Sequence, residues 1–253
     1  MAVLSVHGTE ISYTDQGTGD GVVLVHGYAA SSQENWVKAG WVAMLTRANR
    51  RVISVDLRGH GQSAKSHDPG DYSLPLMAGD VLAVVEHVQV KKPDLIGFSL
   101  GGRVVLEILR QRGDRFLLGV LCGVGDKLLE ARQERDGGTF AAEMETGAGG
   151  DDMARRFRMF AEAQGQDLQA MAAVMRGLHQ AGAAWTPDTL KGIKNEMLVV
   201  AGTGDDLAGS ASELAANIPN AKGRQIPGCG HMDCLTQPMF KAAVMDFLAG
   251  IPD

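Results

Sequence analysis

The chain has 253 residues, and 33 of them are glycine, about 13% where about 7% is usual. An apolar content of 45% excludes a disordered chain, and glycines without a three-residue period exclude a collagen-like one. The net charge of −6 speaks against nucleic acid or an anionic membrane as partner, since both attract basic patches.

The first ten residues, MAVLSVHGTE, hold neither a basic segment nor an apolar one, so no secretory leader is expected. Residues 3–7 and 11–15 alternate around Gly8-Thr9 and predict a hairpin. Residues 22–26 (VVLVH) form a continuous apolar run, as a strand buried on both faces should. Runs at 52–56, 94–98, 117–122 and 197–202 share that character, and 223–227 is a weaker last strand. Helical patterns fall between them at 35–48, 73–89, 101–112 and 236–249. In the second of these, Leu76, Val81, Val84, Val85 and Val88 occupy the apolar positions.

Strands alternating with helices imply right-handed crossovers. The expected class is α/β: a mostly parallel eight-stranded sheet with helices on both faces. Residues 123–196 exceed what one crossover needs. A small helical cap inserted after strand 6 is therefore expected, with helices near 152–163 and 167–181. The core would comprise 1–126 and 193–253, and the cap 127–192. Nine glycines between Gly137 and Gly192 predict hinge-like joints in that cap.

Gly97-Phe98-Ser99-Leu100-Gly101-Gly102 follows an apolar strand and opens an apolar helix. This is the context in which a Gly-x-Ser-x-Gly turn exposes a serine nucleophile. Gly97 and Gly101 fit because a sharp strand-to-helix turn crowds the residues two before and two after its apex. A serine hydroxyl needs a base, and the base needs an orienting acid. Among the histidines, His231 alone follows the last strand, in Gly228-Cys229-Gly230-His231. The acid is expected on the loop after residues 197–202, where Asp205 is favoured and Asp206 is second; Asp126, on the loop after the preceding strand, is third.

These blocks resemble the α/β-hydrolase superfamily over essentially the whole chain. The matching segments are His26-Gly27-Tyr28, Asp56 to Ser63, Gly97 to Gly102, and the Asp205 and His231 loops. The order Ser, Asp, His is the superfamily's own. The resemblance implies that the N–H groups of Tyr28 and Leu100 form an oxyanion hole. It also implies that Asp56 and Arg58 shape the turn beside the serine. A serine at the elbow, where some branches carry aspartate, disfavours epoxide and haloalkane chemistry.

The expected activity is hydrolysis of carboxylic esters with small to medium acyl chains, through a Ser99–His231–Asp205 triad and an acyl-enzyme. The alternatives are a lactonase or C–C bond hydrolase, a cofactor-free perhydrolase or haloperoxidase-like enzyme, and a non-catalytic ligand receptor. Trp36, Met153, Phe157, Met171 and Met175 are candidate pocket residues, though such stripes also serve packing. Cys229 and Cys234 flank His231 in a metal-like spacing, but the triad claims His231 and no fourth ligand is apparent. No metal and no cofactor are expected. Three cysteines, an odd and small number, fit reduced thiols and a cytoplasmic home. The expected partner is a small ester-like molecule, with no nucleic acid and no membrane span. Oligomeric state is left open.

Overall fold

A hairpin opens the chain. β1 (Ala2–Val6) and β2 (Thr9–Gln16) pair antiparallel with Val6 opposite Thr9. Their two-residue turn, His7 and Gly8, has φ of 49° and 86°, the mirror-image turn whose twist matches that of the strands. The computed structural model describes residues 1–130, 134–148, 151–180 and 185–251, with the backbone alone for 134–137.

The following strands are β3 (Asp20–Val25), β4 (Arg50–Val55), β5 (Asp94–Phe98), β6 (Leu118–Cys122), β7 (Glu196–Gly202) and β8 (Ala221–Ile226). They form an eight-stranded sheet in the order β1-β2-β4-β3-β5-β6-β7-β8. Only β2 runs against the rest: it is antiparallel to β1 and β4, and every other pairing is parallel. The chain leaves β3 to one side for β4 and returns to its other side for β5. That reversal opens a crevice at the carboxyl ends of β3 and β5, where ligands bind in open α/β sheets.

Alternation divides the core between the two faces. Val22 and Leu24 pack on α1 (Trp41–Arg47) and α9 (Pro238–Leu248). Val23 and Val25 pack on α2 (Leu74–His87) and α3 (Leu100–Arg112). All four side chains are fully buried, which is why this strand reads as one unbroken apolar run.

Two helical expectations need correction. The pattern over 35–48 is not one helix: a π-helical segment (Gln33–Lys38) is separated from α1 by Gly40 at φ 81°. A left-handed residue cannot continue a right-handed helix. In α2, Leu76 is 41% exposed, and Met77 and Ala78 are buried beside Val81, Val84 and Val85 instead.

Between β6 and β7 stand α4 (Glu134–Thr146), α5 (Asp152–Ala163), α6 (Leu168–Gln180) and α7 (Pro187–Leu190). The expectation included α5 and α6 but not α4, whose Gly137-Gly138 pair reads as a helix breaker. The Asp151 carboxylate caps α5 by accepting the Ala154 N–H at 2.8 Å. α8 (Ala211–Ala215) follows β7.

Gly177 is not a hinge. It lies inside α6, where a Cβ would meet the Tyr72 carbonyl oxygen at 2.6 Å and would also be driven into that of Pro69. Its small size lets the cap settle on the 69–72 segment. Gly149, Gly150 and Gly182 lie outside the described residues.

The Asp56–Ser63 turn is braced from within. Arg58 donates Nε and Nη2 to the Asp80 carboxylate at 2.6 and 2.8 Å, and Nη1 to the Asp71 carbonyl at 2.8 Å. Asp56 accepts the Ser32 and Gln62 N–H groups at 2.8 and 2.9 Å. Removing one partner of a buried ion pair strands the other charge. Asp80→Ala is therefore expected to lower stability by about 3–5 kcal/mol, read from the urea midpoint of unfolding.

Candidate active site

β5 ends at Phe98 and α3 begins at Leu100, so Ser99 alone makes the turn. Its φ of 52° and ψ of −112° are sparsely populated for a residue with a side chain. Glycine is required on both sides. A Cβ at Gly97 would be driven into the Gly101 carbonyl, and one at Gly101 into the Val25 carbonyl at the end of β3. The Ser99 N–H donates to the Cys122 carbonyl at 2.8 Å, which ties the apex to β6.

His231, on the loop after β8, places Nε2 3.0 Å from Ser99 Oγ. Its Nδ1 lies 2.9 and 3.0 Å from the two carboxylate oxygens of Asp205, on the loop after β7. A carboxylate only accepts, so Nδ1 carries the hydrogen and the Nε2 lone pair faces the serine hydroxyl. The His231 ring also lies against Phe98, with centroids 4.9 Å apart. Asp205 is buried and takes two further bonds, from the Leu207 and Ala208 N–H groups at 3.2 and 2.9 Å. These donors fix the carboxylate's orientation.

The other two acids are placed elsewhere. Asp206 is exposed, and its main-chain oxygen accepts from Lys127 Nζ at 2.5 Å. Asp126 accepts the Ser210 N–H at 2.6 Å and so braces the loop that carries Asp205.

Two backbone donors flank Ser99. Leu100 is the first residue of α3, where a helix leaves its N–H unpaired. Tyr28 follows Gly27, whose own N–H is held by Asn35 Oδ1 at 2.9 Å. Among the described residues, neither the Tyr28 nor the Leu100 N–H has a partner.

A cavity of about 280 Å³ opens above Ser99 and His231. Phe140, Phe157, Met175, Leu178 and Trp185 line its cap side, and Tyr28, Leu100, Val124, Leu128 and Leu207 its core side. Phe157 and Met175 are therefore at the cavity. The remaining pocket candidates are not, and need correction. Trp36 is fully buried on the far face of the sheet, edge-on to Trp41 at 5.8 Å. Met171 is fully buried within α6, where its carbonyl accepts the Tyr28 hydroxyl at 2.9 Å. Met153 packs partly buried into the core cluster. Sequence reasoning missed Phe140, Trp185 and Arg103, which also line the cavity. Arg103 carried a usable signal, being one helical turn beyond Ser99.

The model of the alpha/beta hydrolase family matches residues 22–242. The chain belongs to this family. It is 26% identical over 270 residues to 2-hydroxymuconate semialdehyde hydrolase of Pseudomonas putida, covering 96% of this chain and 92% of the relative. It is 34% identical over 131 residues to a non-heme haloperoxidase of Rhodococcus erythropolis, covering 50% of this chain and 45% of that one. Several of the curated relatives are thus spanned over less than half their length. Among solved structures, the enol-lactonase from Burkholderia xenovorans LB400 superposes with a TM-score of 0.79 at 24% identity, covering 98% of this chain and 100% of that one. That likeness is one of fold. Among the described residues, no helix is long and apolar enough to cross a membrane.

In this α/β hydrolase both ring nitrogens of His231 are engaged, Nδ1–H by Asp205 and the Nε2 lone pair by Ser99. Burial pushes the thiols of Cys122 and Cys234 well above the usual range, and that of Cys229 upward.

A histidine pair, His26 and His60, lies beside Tyr28. His26 Nε2 accepts the Leu57 N–H at 2.9 Å, so its Nδ1–H donates to the Gly27 carbonyl at 2.7 Å. The His60 ring stands 5.2 Å away, with Nδ1 3.0 Å from the Arg58 carbonyl. Both are fully buried. Burial lowers the pKa of His26, and burial with the neighbouring His26 pushes His60 down to about 3. The unfolded chain, with histidines titrating near 6.5, binds protons in a range where the folded chain does not. Stability is thus expected to fall as pH drops from about 6.5 towards about 3. Urea midpoints at pH 7.5, 6, 5 and 4 check this, and His60→Asn should flatten the dependence.

Proposed function

We propose that this family member hydrolyses carboxylic esters with small to medium acyl chains through an acyl-enzyme. One observation carries the reading: the continuous hydrogen-bonded chain from Asp205 through His231 to Ser99, 2.9 and 3.0 Å at its two links, at the base of an apolar cavity.

In this mechanism Ser99 Oγ attacks the ester carbonyl carbon while His231 Nε2 accepts its proton. Asp205 holds the imidazole in the required tautomer and balances the imidazolium charge. The Tyr28 and Leu100 N–H groups stabilise the tetrahedral oxyanion, each donor contributing about 2.7–4 kcal/mol in comparable sites. The intermediate collapses, the C–O bond to the alcohol breaks, and His231 returns the proton to the leaving oxygen. Water, deprotonated by the same imidazole, then releases the acid and restores Ser99.

The full-length similarity to 2-hydroxymuconate semialdehyde hydrolase favours a second reading, C–C bond hydrolysis by the same residues.

Incubation with a fluorophosphonate probe and 4-nitrophenyl esters of graded length tests the first reading. Labelling and turnover are expected in the wild type and neither in Ser99→Ala. Asp205→Asn should lower kcat by about 10³–10⁴-fold. Turnover confined to aryl diketones would support the second reading. A chain that neither labels nor turns over any substrate behaves as a ligand receptor.

A further inference from the structure

Apart from Ser99 and His231, the lining of the active-site cavity is mostly apolar, and Arg103 stands out in it. Arg103 follows Ser99 by four residues on α3, and its N–H donates to the Ser99 carbonyl at 3.2 Å. Helical side chains tilt toward the helix N-terminus, so an arginine one turn further on leans back toward the serine. The residue is half-buried, and its Nε is sealed from water with no hydrogen-bond partner.

Four other arginines of this core are each paired with a carboxylate. Arg50 holds Asp94, Arg51 holds Asp15, Arg58 holds Asp80 and Arg110 holds Glu107. Arg103 holds no carboxylate among the described residues. The other charged groups at the cavity are exposed: Lys127, which donates to the Asp206 carbonyl, and Glu130. The Arg103 Nε is closed off from the cavity, so the terminal Nη groups, which hold no partner among the described residues, are the donors a molecule in the cavity can reach.

We propose that Arg103 is a specificity-determining residue that pairs with a carboxylate of the substrate, so that the preferred substrates are esters or lactones bearing a negative charge. This rests on the ester-hydrolase reading. Guanidinium and carboxylate pair through two parallel hydrogen bonds, and an apolar surround strengthens them.

Steady-state kinetics on matched ester pairs test the assignment. Acyl-side charge is probed with 4-nitrophenyl monoesters of glutaric and adipic acid against 4-nitrophenyl pentanoate and hexanoate. Alcohol-side charge is probed with 3-carboxypropyl butyrate against butyl butyrate. The wild type is expected to favour the anionic member of at least one pair by about tenfold or more in kcat/KM. Arg103→Gln should collapse that ratio and Arg103→Lys should keep part of it. The ratio normalises for general damage to the fold. Equal or better use of the neutral member in every pair, or a preference that survives Arg103→Gln, overturns the proposal. If no ester is turned over, the hydrolase reading fails separately, and calorimetric titration with glutarate decides this one. Binding lost in Arg103→Gln supports it, and absent or unaltered binding overturns it.

Discussion

The backbone state of Ser99 is the constraint around which the rest is arranged. A residue with a side chain held at φ 52° and ψ −112° costs about 1–3 kcal/mol and persists only where its surroundings over-determine it. Here they do. All five residues of β5 are buried, the Ser99 N–H is bonded to β6, and α3 starts immediately afterwards. Gly97 and Gly101 allow the turn to close against itself and against β3. The hydroxyl meets the loops after β7 and β8, which lie beyond β6 on that side of the sheet. The geometry around His231 is thus a consequence of strand order as much as of the residues themselves.

Much of this was legible in the sequence, for physical reasons. A parallel strand covered on both faces must be apolar throughout, so β3, β5, β6 and β7 read as unbroken runs. The elbow was legible because few residues besides glycine fit beside a strained apex. Asp205 and His231 were legible because each follows a strand at the sheet's carboxyl edge. Asp205 was already favoured over Asp206 and Asp126, and the coordinates add that its buried carboxylate is the one bonded to His231.

The rest depended on tertiary contact. Trp36 stands close in sequence to the Tyr28 loop, yet it packs edge-on to Trp41 in the cluster on the opposite face of the sheet. α4 carries two glycines near its start, and packing on α5 and α6 outweighs their poor propensity. Gly177 read as a hinge because sequence records only its small size. In the fold, that size admits a neighbouring backbone. Arg103 was not singled out from the sequence; its place in the cavity lining depends on how the segments between β6 and β7 pack over α3.

The cap is hydrogen-bonded to the loop that bears the Tyr28 N–H. The Tyr28 hydroxyl reaches Met171, Gln166 Nε2 donates to the Ala30 carbonyl at 3.1 Å, and the Gly61 N–H donates to Gln166 Oε1 at 3.2 Å. Lifting the 166–171 segment therefore severs three bonds, each contributing about 1 kcal/mol, and frees two loops of the core at once. Cap position and loop order share one free energy. The backbone donor beside Ser99 is thus tied, through Tyr28, Ala30 and Gly61, to a segment more than a hundred residues further along the chain.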